Sequence, residues 1–232
     1  MPAGAELVPG FAALGVRAFT TGRLDGSFGT QSDEPVRDVM ARWSALRDLL
    51  GGLDTRLATA AQVHGDVIVQ HVEGWRGWLR GEAADGHLSA VRGTAMAVTV
   101  ADCVPVFLAH PGGACALLHS GWRGTAARIV VRALADLSAL GCHPADVRVH
   151  CGPAICGACY EVSPDVHERL TGSRPSQPAT VDLRAIIAGH ARDAGVRQVT
   201  VSTSCTRCDN DRFFSHRAGD AGRQLGVLLA ES

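Results

Sequence analysis

The chain has 232 residues, with 22 basic and 23 acidic side chains and a formal charge of −1. All 22 cations are arginines, for no lysine occurs anywhere in the chain. That absence excludes Schiff-base and pyridoxal-phosphate chemistry, the phosphate-loop lysine and the Ser-Lys dyad, and leaves any bound anion to Arg, backbone N–H groups, helix N-termini or a metal. With 46 % apolar and 19 % charged residues the chain reads as globular, and one domain over residues 1–232 is expected. The balanced charge gives no reason to expect nucleic acid or an acidic membrane surface as a partner. No run of about 18 apolar residues predicts a membrane span, and no export signal opens the chain. The expected location is therefore cytoplasmic, where the eight cysteines read as buried, ligating or catalytic thiols rather than disulfides.

Taken in order, residues 34–50 place Val36, Val39, Met40, Trp43, Leu46 and Leu50 at helical spacing before Gly51-Gly52. Ala60–Val72 alternates and predicts a strand carrying His64. Residues 95–109 read as two β-rich runs broken at Ala101-Asp102-Cys103, with Pro105 pointing to an edge or a strand end. Ala114–His119 predicts a buried strand that stops at Ser120–Thr125, followed by a helix over roughly 125–140 with its stop at Gly141. Val147–His150 predicts a strand, and Ser163-Pro164-Asp165 has the form of an N-cap with Pro at the first helical position. Thr171–Thr180 reads as a mobile loop. A helix near 182–194, a strand over 197–203, a polar turn at Asp209–Arg212 and an apolar stretch, Gln224–Ala230, complete the pattern. Helices and strands mix without a clean alternating unit, which predicts α+β, a layered α/β sandwich, over a doubly wound sheet.

Three segments set a metal-ligand side chain beside a tight turn: Gln62–Gly65, Ala101–Pro105 and His119–Gly124. Two imidazoles and a thiolate, His64, Cys103 and His119, form an ordinary zinc set, and three protein ligands leave the open position of a catalytic site. An open position can hold a water acidified towards neutrality. The separations of 39 and 16 residues match no contiguous metal motif. Two other readings therefore stand beside this one: a buried core thiol with ordinary polar histidines, and a metal-free Cys103–His119 dyad with N–H groups of Gly121–Gly124 facing an oxyanion. Cys156-Gly-Ala-Cys159 and Cys205-Thr-Arg-Cys208 are two Cys-x2-Cys pairs with 45 residues between them, longer than in a compact zinc ribbon. They read as independent thiols, a reversible disulfide or a second, structural zinc site. His216 stands out among the other histidines, because Phe213–Arg217 sets aromatic surface beside polar groups. No His-x-His pair occurs, which counts against a multi-copper cluster.

Gln62–Gly65, Ala101–Pro105, His119–Thr125, Gly152–Val162 and Phe213–Arg217 with Gly222-Arg223 together resemble the laccase-domain purine nucleoside phosphorylase family, also labelled polyphenol oxidase or peptidoglycan editing factor. The motifs stand in the family's order and cover about residues 17–229. The resemblance implies mixed β-sheets sandwiched between helices, and a catalytic zinc on His64, Cys103 and His119, with copper the less favoured metal. Arg42 matches a family arginine, and Asp85-Gly86 a family turn. The implied activity is phosphorolysis of adenosine, inosine or methylthioadenosine, with hydrolytic deamination of adenosine. An amidase that removes serine from a cell-wall precursor is the alternative, through the same zinc site or a Cys-His dyad. A third reading is a non-catalytic partner of the division or cell-wall machinery. For the nucleoside reactions, Asp102 or Asp85 is expected to shuttle the proton, with a hydrogen-bonding role behind the metal as the other reading of Asp102. Arg42 and Arg123 are expected to grip phosphate, and Trp122 or Phe213 to stack on the base. The sequence departs from the family at Arg23–Phe28 and Phe28-Gly29, where a Gly-Gly-Val-Ser turn and an Asn-Leu-Gly are expected, and this puts substrate preference in question.

Overall fold

Alternate residues of single strands point into different apolar clusters, and that alternation stacks the molecule in four layers. The computed structural model describes residues 1–30 and 34–231, and among them two six-stranded mixed sheets lie face to face. The first runs β1 (Glu6–Leu7), β2 (Val16–Thr20), β14 (Gln224–Ala230), β7 (Thr94–Val100), β3 (Arg56–Ala60) and β5 (Gly77–Gly81). The second runs β13 (Gln198–Val201), β10 (Arg148–Cys151), β8 (Val104–Ala109), β9 (Cys115–Ser120), β6 (Gly86–Ser89) and β4 (Ile68–His71). A short antiparallel pair, β11 (Glu161–Val162) and β12 (Ala179–Thr180), stands apart.

On β7, Met96, Val98 and Val100 join Phe107 and Leu117 of the second sheet in the core between the sheets. Ala95 and Ala97 turn the other way, onto Val39, Trp43 and Leu46 of α1 (Val36–Leu49). On β8, Val104, Val106 and Leu108 face the helical layer of α3 (Ile129–Ala139), α4 (Pro164–Thr171) and α5 (Leu183–Asp193), joined by Trp122 and Ala126 of α2 (Trp122–Ala126). Gly226 on β14 lets the sheets close up, since a Cβ there would stand 2.9 Å from Pro105 Cβ. The architecture is the α+β layered sandwich that the sequence predicts. No helix is long and apolar enough to cross a membrane among the described residues.

Two local expectations differ from the structure, and a third holds in one of its two forms. The strand expected over 60–72 is β3, a turn and β4, because the N–H groups of Val63, His64 and Gly65 bond to the Asp85 carboxylate and not to a neighbouring strand. The helix expected from 125 starts at Trp122 and breaks at Arg128, whose φ is +58°. Pro105 lies on an interior strand and not at a sheet edge, but it is the second residue of β8, so the strand-end form of the expectation holds; its carbonyl accepts from Gly152 N–H at 2.9 Å just past the last paired residues of β10, and only the reciprocal bond is missing.

Candidate active site

Two turns cross from one sheet to the other, β3 to β4 and β7 to β8, and they carry His64 and Cys103. His119 stands near the end of β9, one residue before the turn into α2. The nitrogen and sulfur donors of these three residues all lie within 4.8 Å of one another, with the two imidazoles edge to face at 4.8 Å between centroids. Backbone strain marks the place: His64 and Asp102 have φ of +60° and +81°, a region that non-glycine residues avoid. Gly121 makes the close approach possible, because a Cβ would meet Cys103 Sγ at 3.0 Å and the His64 ring at 3.3 Å.

Beneath the cluster lies Asp85, fully buried. Its carboxylate accepts N–H groups from Val63 at 3.2 Å, His64 at 2.9 Å and Gly65 at 2.7 Å, and faces His119 Nδ1 at 2.7 Å. One side chain thus fixes both the turn that carries His64 and the ring of His119, leaving His119 Nε2 as the nitrogen available to a ligand. Burial opposes the charge of Asp85, but His119 and the Gly65 and Val63 amides prevail and hold its carboxyl below the usual range. Burial likewise opposes ionisation of Cys103, yet the charge and hydrogen bonds of His119 and then His64 draw its thiol down to about 6. His119 is pushed up to about 9, where the Cys103 and Asp85 charges outweigh burial. Both shifts favour a Cys103 thiolate beside a His119 imidazolium in the metal-free cluster, and a thiolate with two imidazoles within reach is a donor set that fits a tetrahedral divalent metal.

The cluster opens into a cavity of about 860 Å³. Phe28, Trp43 and Trp78 form an aromatic wall in it, Trp43 against Trp78 at 4.8 Å and Phe28 edge-on to Trp43 at 5.5 Å. Trp122, Arg123, Tyr160, His216 and Arg217 also line it, as do Arg80 and Arg223. Arg123 lies over the Trp122 ring at 4.4 Å. Neither Arg123 nor Arg80 meets a carboxylate among the described residues.

Four expected site residues sit elsewhere or are otherwise engaged. Arg42 does not line the cavity: its guanidinium is committed to the Glu34 carboxylate and to the Ser27 carbonyl at 2.6 Å. Phe213 has no exposed surface and belongs to the core, so it cannot stack on a ligand. Asp85 is too deep to reach a substrate and positions other groups. Asp102 borders the cavity, but Thr206 Oγ1 and Arg217 N–H each donate to its carboxylate at 2.6 Å, tying the turn before Cys103 to two further loops. The sequence reading missed Trp78 and Arg80, both on the edge strand β5, whereas Trp43, read as an apolar helix residue, is buried core that borders the cavity from behind. It did single out Phe28-Gly29, and that departure from the family pattern faces the cavity.

A family model described as multi-copper polyphenol oxidoreductase laccase matches residues 15–231. A purine nucleoside phosphorylase of Streptomyces griseus is 36 % identical over 226 residues, 92 % of this chain and 89 % of that one. An adenosine deaminase of an unknown prokaryotic organism is 32 % identical over 160 residues, 63 % of this chain and 59 % of that one. The crystal structure of YlmD from Geobacillus stearothermophilus superposes with a TM-score of 0.87 at 28 % identity, over 97 % of this chain and 94 % of that one. Since the family model spans almost the whole chain, the protein belongs to the family described as multi-copper polyphenol oxidoreductase laccase.

Proposed function

We propose that this protein is a zinc-dependent purine nucleoside enzyme that phosphorolyses adenosine, inosine or methylthioadenosine and deaminates adenosine. The observation that carries the reading is the convergence of His64, Cys103 and His119 on one wall of a cavity that also presents aromatic rings and two arginines, Arg80 and Arg123, with neither a carboxylate nor a hydrogen-bond partner among the described residues. The purine nucleoside phosphorylase and adenosine deaminase relatives support it. His64, Cys103 and His119 would hold the metal, which when bound supplies a Lewis acid and a water acidified towards neutrality. Zinc suits two imidazoles and one thiolate, whereas a multi-copper centre needs more imidazoles than this cluster brings.

The remaining work falls to the chain's own residues. Trp122 and Trp78, the latter backed by the buried Trp43 and Phe28, take the planar base. Arg123 and Arg80 fork onto phosphate oxygens, so that a phosphate oxygen can attack C1′ as the bond from C1′ to the base nitrogen breaks, giving free base and ribose 1-phosphate. In deamination, water adds at C6 and ammonia leaves. With both carboxylates engaged, His216 on the cavity wall carries the proton to the departing nitrogen.

Purified protein incubated with adenosine, with and without phosphate, is expected to yield adenine and inosine, followed by chromatography. Arg123→Ala and Arg80→Ala should each raise the KM for phosphate about 10- to 100-fold, the worth of one charged hydrogen-bonding group, and Arg42→Ala should leave it unchanged. If neither Arg123→Ala nor Arg80→Ala alters the phosphate dependence, phosphorolysis loses its physical support. The second reading, an amidase acting on a serine-bearing cell-wall precursor, is favoured by the thiolate–imidazolium couple of Cys103 and His119. Turnover of that precursor by zinc-free protein, with none of adenosine by zinc-loaded protein, would select it.

A further inference from the structure

Outside this site, the two Cys-x2-Cys pairs converge. Strands β10 and β13 are parallel neighbours, so the segments that follow them leave the same end of the second sheet. Cys156 and Cys159 lie in the first segment, Cys205 and Cys208 in the second. An isolated parallel bridge joins Ala154 to Cys205, and Thr206 N–H donates to the Ala154 carbonyl at 3.2 Å. Each pair closes a tight turn, with Cys159 N–H on the Cys156 carbonyl at 3.0 Å and Asp209 N–H on that of Cys205 at 2.8 Å. The four sulfurs all lie within 4.8 Å of one another, and those of Cys159 and Cys208 are 3.5 Å apart.

A tetrahedral zinc with bonds of about 2.3 Å to sulfur sets its four ligands about 3.8 Å apart, so the cluster needs only small side-chain shifts to close on one ion. The backbone already favours charged sulfur here. The N–H groups of Cys156 and Cys208 point at Cys205 Sγ, at 3.2 and 3.5 Å. Four thiolates leave no open position, which is the pattern of a structural site and not of a catalytic one.

We infer that Cys156, Cys159, Cys205 and Cys208 form a structural zinc site, separate from the His64, Cys103 and His119 cluster, that clamps two walls of the cavity together. Tyr160, next to Cys159, lines the cavity. Thr206, between the second pair, holds the Asp102 carboxylate beside Cys103. Arg217 ties the turn before Cys103 to the first segment, since its N–H donates to the Asp102 carboxylate at 2.6 Å while its guanidinium donates to the Glu161 carbonyl at 3.1 and 3.2 Å. A metal at the thiol cluster therefore stiffens the wall against which a ligand packs, without touching the reacting atoms.

The test uses full-length protein purified under reducing conditions, with Cys103→Ala to remove the catalytic cluster's metal. That variant is expected to keep one equivalent of zinc by elemental analysis, and chelation should release it while making four thiols reactive. Cys115, Cys142 and Cys151, buried and with their thiols pushed up by burial, stay inert in the native fold. Cys159→Ser with Cys208→Ser, in a chain that keeps Cys103, should lose one equivalent and retain the other. If that double variant fails to fold, cobalt substitution of Cys103→Ala protein decides: tetrahedral d–d bands with a strong thiolate-to-cobalt band are expected. Zinc-free Cys103→Ala protein without cobalt bands, four thiols equally reactive before and after chelation, or a Cys159–Cys208 disulfide in the reduced preparation would each overturn the site. The two metals are counted separately, so loss of the nucleoside reading leaves this inference standing, and the reverse.

Discussion

Asp85 does at the level of one side chain what a loop and a helix usually share. It replaces strand hydrogen bonds for Val63–Gly65, orients the His119 ring and places a negative charge behind the cationic side of the site. Asp85→Asn keeps the size but loses the charge and turns one oxygen into a donor that faces N–H groups. We expect it to fold, to bind zinc at the His64/Cys103/His119 cluster about 10- to 100-fold more weakly, and to lose turnover in the same proportion, as removal of an outer hydrogen-bonding partner does. Competition with a chromophoric chelator measures this, and an unchanged affinity would confine Asp85 to holding the fold. The contrast with Arg42 is instructive. Both residues match family positions, but Arg42 is neutralised by Glu34, eight residues earlier on the same segment, and only the folded chain reveals that pairing.

At the scale of elements, the site is made of turns that leave strands at the seam between the two sheets. Gly121→Ala tests that economy: its backbone is extended and tolerates a side chain, but the added methyl would press on Cys103 Sγ and the His64 ring. Near-native thermal stability with at least tenfold weaker metal binding is expected; tight binding in a well-folded Gly121→Ala protein would show that the turn has slack. The same elements explain what could be read in advance. Amphipathic spacing disclosed α1 and α5 to within a residue or two, and the Ser163-Pro164 cap disclosed the start of α4, because caps and periodicity are local properties. The three metal-ligand candidates were legible as polar residues at strand ends, and the family motifs joined them. What stayed hidden was non-local. The carboxylate that straightens the 61–67 turn comes from residue 85, the phenylalanine of the Phe213 motif faces inward, and the tryptophans of the cavity wall are built like core residues. Parallel pairing of β10 with β13 is likewise what brings together cysteines that lie far apart in the chain.

Across the whole molecule, buried neutral histidines tie stability to pH. His150 is held down to about 4, mainly by burial, and His87 to about 3 by burial and by the facing His71. Their folded values lie below the ordinary histidine value of about 6.5, so as pH falls through that value the unfolded chain takes up protons that the folded chain refuses. Stability is therefore full above pH 7 and declines from about 6.5 towards 4, by about 1.4 kcal/mol per pH unit for each such histidine. Urea unfolding at pH 7, 6 and 5 with a constant slope in denaturant should show the decline, and a flat profile would remove it. His150→Gln should make it shallower by one histidine's share.

The position of β14 has a consequence for how the molecule comes into being. Residues 224–230 lie between β2 and β7, so those two strands meet only through one made after both. Until that strand arrives, β2 and β7 each offer an open apolar edge, the kind of edge that recruits other chains. The central strand of this sheet is thus the last of its strands to be made. A ribosome that stalls or a frameshift that falls shortly before residue 224 releases two unsatisfied half-sheets, a product marked for chaperones, proteases or aggregates rather than a slightly shortened native protein.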